Sequence, residues 1–156
     1  MLLSSLRVKR QPSLRERALR CLARREHSRL ELQRKLAPHA EEFDDIQRLL
    51  DDFEKRGWLS EKRLIEQSVH TRRGRYGVVR IMRELRGKGI SEEAISEAKR
   101  QIMESELEAA RAVWQKKFGR LPHNASERGK QIRFMRGRGF DLDVILKLLR
   151  GTGEDE

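Results

Sequence analysis

Two groups of basic side chains carry the chemistry that this sequence offers. The first places seven basic residues and one acidic residue between positions 72 and 88, and the second places five basic residues and no acidic residue between positions 128 and 138. Guanidinium and ammonium groups at this density bind phosphates. We interpret both groups as a surface for nucleic acid or a nucleoprotein. Its predicted residues are Arg72, Arg73, Arg75, Tyr76, Arg80, Arg83, Arg86, Lys88, Arg128, Lys130, Arg133, Arg136 and Arg138.

The overall charge agrees with a polyanionic partner. The 156-residue chain has 36 lysines and arginines against 25 acidic residues, a formal net charge of +11. The electrostatic field of such a net positive charge accelerates encounter with polyanions and makes their binding sensitive to salt. The simpler interpretation, that the charge serves only solubility, stays open. Tyr76 lies within the first basic group, where it either stacks on an exposed group or is an ordinary interface tyrosine.

The sequence contains no arrangement typical of catalysis or metal binding. Its four histidines are far apart, and its single cysteine, Cys21, excludes an internal disulfide. The Gly-x-Gly segments at 87–89 and 137–139 lack the preceding strand and the following Lys-Ser/Thr of a phosphate-binding loop. We therefore expect a protein that is not an enzyme and that uses no metal and no cofactor. Cys21 has apolar neighbours, so it is expected to be a buried small residue.

Membrane and secretion signals are not apparent in the sequence. No apolar run approaches the roughly 20 residues of a membrane span. Residues 1–6 lack the cationic lead and long apolar core of a secretion signal. We expect a cytoplasmic protein that acts as a monomer and has no membrane partner.

The elements that must position the basic groups are predicted to be helices. Apolar residues recur at i, i+3, i+4 and i+7, whereas the arginines between them lie off this stripe. The stripe consists of Val78, Ile81, Met82 and Leu85. Gly87 and Gly89 then supply positions that tolerate positive φ, and Ser91 is placed to cap the next helix. The segment therefore predicts a helix, a sharp corner and a second helix.

The same pattern recurs along the chain. Residues 85–95 align without gaps on residues 135–145, and Leu36 and Ile46 have the spacing of the paired positions in those segments. A repeat of about 45 to 50 residues is typical of a helical array. We predict an all-α fold, an elongated array of three tandem three-helix repeats. The predicted segments are a basic arm (1–12), the repeats (13–58, 59–103 and 104–150) and an acidic tail (151–156).

Several helix boundaries follow from capping patterns. Ser13 with Glu16 predicts the start of the first helix. We expect the third helix to cover residues 41–56 with Phe43 turned inward. Ser105 with Glu108 forms a possible capping box and predicts a break there, although one long helix over 91–118 is an alternative.

The chain resembles the RecX family of recombination regulators. The resemblance rests on residues 18–36, on 57–66 and on the glycine corners at 87–90 and 137–140, in that order. The second block departs from the family pattern at Ser60 and Glu61, where an acidic pair is usual, and at Leu64, where an aromatic residue is usual. The resemblance implies a helical protein that lies in the groove of the RecA–DNA filament. It also implies limits on filament growth, ATP hydrolysis, strand exchange and repressor cleavage, with weak, sequence-independent binding of single- and double-stranded DNA.

Two other functions remain open from the residues alone. The helix pair at 76–102 fits a helix-turn-helix protein in which Arg80, Arg83 and Arg86 read a DNA groove. Alternatively, the chain is an interaction scaffold whose basic faces are only solvated. Sequence-specific affinity for naked duplex DNA would favour the first, and salt-insensitive binding would favour the second.

Overall fold

Every regular element that the computed structural model describes, over residues 10–151, is a helix. The predicted all-α fold is therefore confirmed. The helices are α1 (Leu14–Arg24), α2 (Arg29–Leu36), a short 3-10 helix (Ala37–His39), α3 (Ile46–Lys55), α4 (Glu61–Arg72), α5 (Val78–Gly87), α6 (Glu92–Met103), α7 (Glu106–Lys117), α8 (Ala125–Gly137) and α9 (Leu142–Leu149). Most of the predicted basic arm and acidic tail, residues 1–9 and 152–156, lies outside the described residues. None of the described helices has the length and apolar character that crossing a membrane requires.

The described residues form three buried clusters, each drawn from three consecutive helices. We name these helix triplets repeat 1 (α1–α3), repeat 2 (α4–α6) and repeat 3 (α7–α9). The chain divides into two compact units, of which the first ends at Ser60 and holds repeat 1, and the second begins at Glu61 and holds repeats 2 and 3. Phe53, Leu85 and Ile145 are fully buried in the three clusters, in chain order.

Repeat 1 begins as predicted, but its third helix does not. Ser13 Oγ accepts a hydrogen bond from the backbone N–H of Glu16 at 3.1 Å and caps α1. The expected helix over 41–56 starts only at Ile46, because the Asp44 carboxylate accepts from the N–H of Glu41 and Asp45 caps α3. Such local bonds compete with helix formation. Phe43 lies in this turn and is 96% exposed, so its predicted inward position is wrong.

Repeat 2 supplies the helix with the cationic outer face. The whole predicted stripe of α5 is buried, from Val78 to Leu85, and Ser91 Oγ caps α6 by accepting from the N–H of Ala94. The glycine corner differs from expectation in one respect: Gly89 has φ +79°, whereas Gly87 is the last residue of α5 and does not have positive φ. One glycine in the left-handed region is enough to turn the chain.

Helices α6 and α7 are separate, as the predicted break required. Helix α6 ends at Met103 and α7 begins at Glu106, so the alternative of one helix over 91–118 is wrong. The predicted capping box is wrong too, because Ser105 makes no side-chain cap hydrogen bond. Its hydroxyl instead accepts from the Arg73 guanidinium at 2.8 Å. At the break between α6 and α7, Ser105 therefore accepts a hydrogen bond from the guanidinium of Arg73.

Candidate nucleic-acid interface

Three predicted arginines converge on the ring of Tyr76. The guanidinium carbon of Arg80 lies 3.8 Å from the ring centroid, that of Arg138 lies 5.6 Å away and that of Arg72 lies 5.7 Å away. Tyr76 is half-buried and packs on the core of repeat 2. Arg80 lies over the ring, so a base could stack on this face only if Arg80 moved. The cluster brings together cations from both predicted basic groups.

A backbone contact between repeats 2 and 3 places Arg138 at this cluster. The N–H of Gly77 donates to the carbonyl of Arg138 at 2.8 Å, and the N–H of Val79 donates to the carbonyl of Gly139 at 2.9 Å. Gly139 has φ +90°, and a Cβ there would lie 2.4 Å from Cβ of Arg80. Only glycine fits such an approach without strain. We call this contact the glycine seam.

Arg73 is occupied inside the protein. Its Nη1 lies 2.7 Å from Oε2 of Glu106, and its Nη2 donates to the carbonyl of Ile102 and to Ser105 Oγ. Glu106 is fully buried, and its Oε1 accepts from the N–H of Val78 at 3.2 Å. Buried carboxylates require such partners because desolvation is costly. The ion pair therefore ties the end of α4 to the start of α7.

Arg72 and Arg80 of the Tyr76 cluster, together with Arg86, have acidic neighbours at the surface. Arg72 Nε lies 3.1 Å from Oε2 of Glu84, Arg80 Nε lies 4.0 Å from the other oxygen of that carboxylate, and Arg86 pairs with Glu92 at 3.1 Å. Exposed pairs of this kind contribute about 0–1 kcal/mol. A phosphate could therefore replace the carboxylate at little cost.

The remaining predicted cations have no ion pair with any residue in the described part of the chain. Arg75 and Arg83 are exposed in repeat 2, and Lys88, just after α5, is half-buried. In repeat 3 the predicted cations without an ion pair are exposed on α8, and they are Arg128, Lys130, Arg133 and Arg136. These groups are free to bind an anion without first losing an internal partner.

Four cations on or just after α5 have equivalents fifty positions later, on or just after α8. Arg80, Arg83, Arg86 and Lys88 are each followed fifty positions later by Lys130, Arg133, Arg136 and Arg138. Within each helix the first three members are spaced by three residues and lie side by side. Repeats 2 and 3 therefore each present a row of cations that extends into the glycine corner.

Two contributors were missed by the sequence interpretation. Phe134 has the guanidinium carbon of Arg138 5.2 Å from its ring centroid and the Lys117 ammonium at the same distance. Phe134 and Arg138 stand four residues apart, a spacing that could have signalled the contact. Glu106 was missed because nothing local distinguishes it from Glu104 or Glu108.

Family models match both repeats of the second unit. Residues 60–98 match the RecX second three-helix domain, and residues 104–149 match the RecX third three-helix domain. A "Regulatory protein RecX" of Ralstonia nicotianae is 49% identical over 144 residues, which are 92% of this chain and 91% of that relative. This chain belongs to the RecX family. Another RecX protein, of Herbaspirillum seropedicae, is 50% identical over 92% of this chain and 94% of its own length.

Solved RecX structures share the fold at low sequence identity. The crystal structure of RecX from Lactobacillus salivarius has a TM-score of 0.75 at 18% identity and covers 88% of this chain and 92% of that chain. A second structure, a regulatory protein RecX, has a TM-score of 0.74 at 19% identity over 88% of this chain and 72% of that chain. The array of three-helix repeats is therefore a property of the RecX fold. The named relatives are called regulatory proteins, and their names indicate no catalytic activity.

Proposed function

We propose that this RecX-family chain is mainly a negative modulator of RecA. It binds in the groove of the RecA–DNA filament and limits filament extension, ATP hydrolysis, strand exchange and coprotease activity. The proposal includes the repeat limits predicted above, 13–58, 59–103 and 104–150. It also includes the expected weak, sequence-independent binding of single- and double-stranded DNA.

The observation that carries this proposal is the pair of cation rows in repeats 2 and 3. The glycine seam joins the two repeats through backbone hydrogen bonds, so the rows belong to one continuous packing unit. A ligand that offers phosphates at intervals can engage both rows, and the second contact then forms at high effective concentration. A nucleoprotein filament is such a ligand, because its repeat presents the same anionic groups many times.

The helix-turn-helix alternative fits this geometry less well. A recognition helix contacts base edges with its N-terminal residues. The first turn of α5 is instead covered by the carbonyls of Arg138 and Gly139, and the Arg80 side chain lies on Tyr76. Sequence-specific affinity for naked duplex DNA would nevertheless favour the alternative over the filament proposal.

The test adds the purified protein to preformed RecA filaments on single-stranded DNA and follows ATP turnover and filament length. The wild-type protein should lower both, and an Arg83→Glu/Arg133→Glu variant should require about tenfold more protein for the same effect. Both arginines are exposed and have no described ion pair, so the helical content should stay unchanged. Lys99→Glu/Arg111→Glu is the control, because it changes the charge equally at exposed positions outside the rows. Equal inhibition by both variants would refute the proposed surface.

A further inference from the structure

Repeat 1 contains a cationic cleft outside the predicted binding surface. The cleft has a volume of about 440 Å³ and is lined by residues of α1, of the loop after it, of the end of α2 and of the 3-10 helix that follows. None of its described lining residues is acidic. Its five cationic lining residues are Arg17, Arg20, Arg24, Arg25 and Lys35.

Three of these cations form a row along α1. Arg17, Arg20 and Arg24 stand at i, i+3 and i+7, a spacing that places them on one face of a helix. At 1.5 Å per residue the row is about 10 Å long, which is longer than a single phosphate. Arg20 and Arg24 are exposed and have no hydrogen bond or ion pair with any described residue.

A fourth cation is held in place by a buried histidine. His27 is 1% exposed, and its Nδ1 lies 3.0 Å from the carbonyl of Arg25, which can only accept. Nδ1 must therefore carry the proton, and Nε2 accepts a hydrogen bond from the Lys35 ammonium at 2.8 Å. The ammonium keeps two further N–H groups for a ligand. A positioned cation loses less side-chain entropy on binding.

Only part of this charge is balanced locally. Arg25 pairs with Glu31 at 2.6 Å and donates to the carbonyl of Glu26, which fixes its guanidinium. The other cations repel one another around the cleft, and this repulsion opposes folding. Bound phosphates would relieve it, and arginine forks match the oxygen atoms of a phosphate in two-point contacts.

We propose that this cleft binds the phosphodiester backbone of a nucleic-acid strand. The row of guanidiniums is long enough for successive phosphates. Among the described lining residues only His27 and His39 carry aromatic rings, and His27 is buried, so cationic contacts to backbone phosphates outnumber any ring contacts to bases. The site lies in repeat 1 and needs no RecA. It rests on the proposed weak binding of DNA and gives that binding a location, but it can fail while filament binding through the cation rows of repeats 2 and 3 still holds.

Direct binding is the first arm of the test. The full chain is titrated against a fluorescent 20-nucleotide oligothymidylate at several salt concentrations. Arg20→Glu/Arg24→Glu should bind about tenfold more weakly and lower the salt slope by about two. Lys99→Glu/Arg111→Glu, with the same change of net charge, should keep most of the affinity. Circular dichroism of both variants checks that the helices remain.

Cys21 supplies the second arm because it reports on the cleft itself. It is the only cysteine of the chain and lines the cleft, and it is half-buried, so the expectation of a buried residue is wrong. Saturating oligothymidylate should slow alkylation of Cys21 by iodoacetamide several-fold in the wild type and in the control variant. In Arg20→Glu/Arg24→Glu the ratio of alkylation rates with and without oligonucleotide should approach one. Comparing ratios within each variant cancels any effect of the substitutions on the intrinsic reactivity of the thiol.

Three results would overturn the proposal. The first is an unprotected Cys21 at saturating oligonucleotide. The second is an equal loss of affinity in the cleft variant and the control, which would assign the effect to net charge alone. The third is equal protection by inorganic phosphate or by polyglutamate at matched anion concentration, which would make the cleft a site for small anions or acidic peptides.

Discussion

Replacing Glu106 by glutamine is expected to destabilise the unit that contains repeats 2 and 3 by about 3 kcal/mol. The buried carboxylate accepts from the Arg73 guanidinium through one oxygen and from the N–H of Val78 through the other. A glutamine can satisfy only one of these donors, and its NH2 group then faces the other. Breaking a buried ion pair costs about 3–5 kcal/mol. The lower end applies because the Arg73 side chain is 18% exposed and keeps its bond to Ser105.

Urea unfolding followed by Trp114 fluorescence measures this loss. Each unit contains one tryptophan, and Trp58→Phe leaves Trp114, which is buried in repeat 3 and donates to Gln131 at 2.8 Å. With a slope of about 2 kcal/mol per molar urea, the midpoint should fall by about 1.5 M. Glu108→Gln is the matched control, because Glu108 is exposed two residues along the same helix and its loss should cost less than about 0.5 kcal/mol.

A double-mutant cycle decides whether the loss belongs to the ion pair. In an Arg73→Met background the carboxylate has already lost its charged partner, so Glu106→Gln should cost about 1 kcal/mol or less. An equal cost in both backgrounds, or equal midpoints for Glu106→Gln and Glu108→Gln, would show that Arg73 does not stabilise the buried carboxylate.

Two further predictions concern the glycine seam and the buried histidine. Gly139→Ala should destabilise the unit that contains repeats 2 and 3 by about 2 kcal/mol or more, because the new Cβ would clash with Arg80. Gly137→Ala is the control: its Cβ would meet open space in α8, so it should be neutral or stabilising in the same urea assay. Equal effects of the two substitutions would contradict the close approach at the glycine seam. Burial lowers the pKa of His27 below 6.5, chiefly by desolvation, so the unfolded chain binds a proton more readily than the folded one. The stability of repeat 1 should then be fully present above about pH 6.5 and fall as the pH drops below it, by up to about 1.4 kcal/mol per unit of pKa difference. His27→Gln should flatten this dependence between pH 7 and 5, measured by Trp58 fluorescence in a Trp114→Phe background, and an unchanged pH profile would contradict the assignment.

Local patterns were sufficient for most of the fold. The apolar stripe of α5 and the caps at Ser13 and Ser91 depend on residues within one or two helical turns, so spacing alone predicted them. The turn before α3 was mispredicted because Asp44 and Asp45 offer the backbone local bonds that compete with helix formation. The spacing of apolar residues contains no information on that competition. It therefore predicts, wrongly, that Phe43 faces inward.

Contacts between distant residues were beyond the sequence interpretation. Ser105 has the spacing of a capping residue, but its hydroxyl accepts from Arg73, 32 positions earlier in the chain. The glycine pattern at 137–139 predicts a helix end, and α8 does end at Gly137. The second role of this corner depends on how closely it approaches Gly77, and no pattern along the chain encodes that distance.

The structure changes which of the predicted cations can test the binding proposal. The arginines of the two basic groups look alike in the sequence, but Arg73 stabilises a buried carboxylate, and Arg80 and Arg138 lie against Tyr76. Charge reversal at these positions would perturb the contact between repeats 2 and 3, so weaker filament binding would follow even if none of them touched the filament. Arg83 and Arg133 occupy equivalent positions and have no described partner to lose. A loss of binding at that pair is therefore the result that separates recognition from folding.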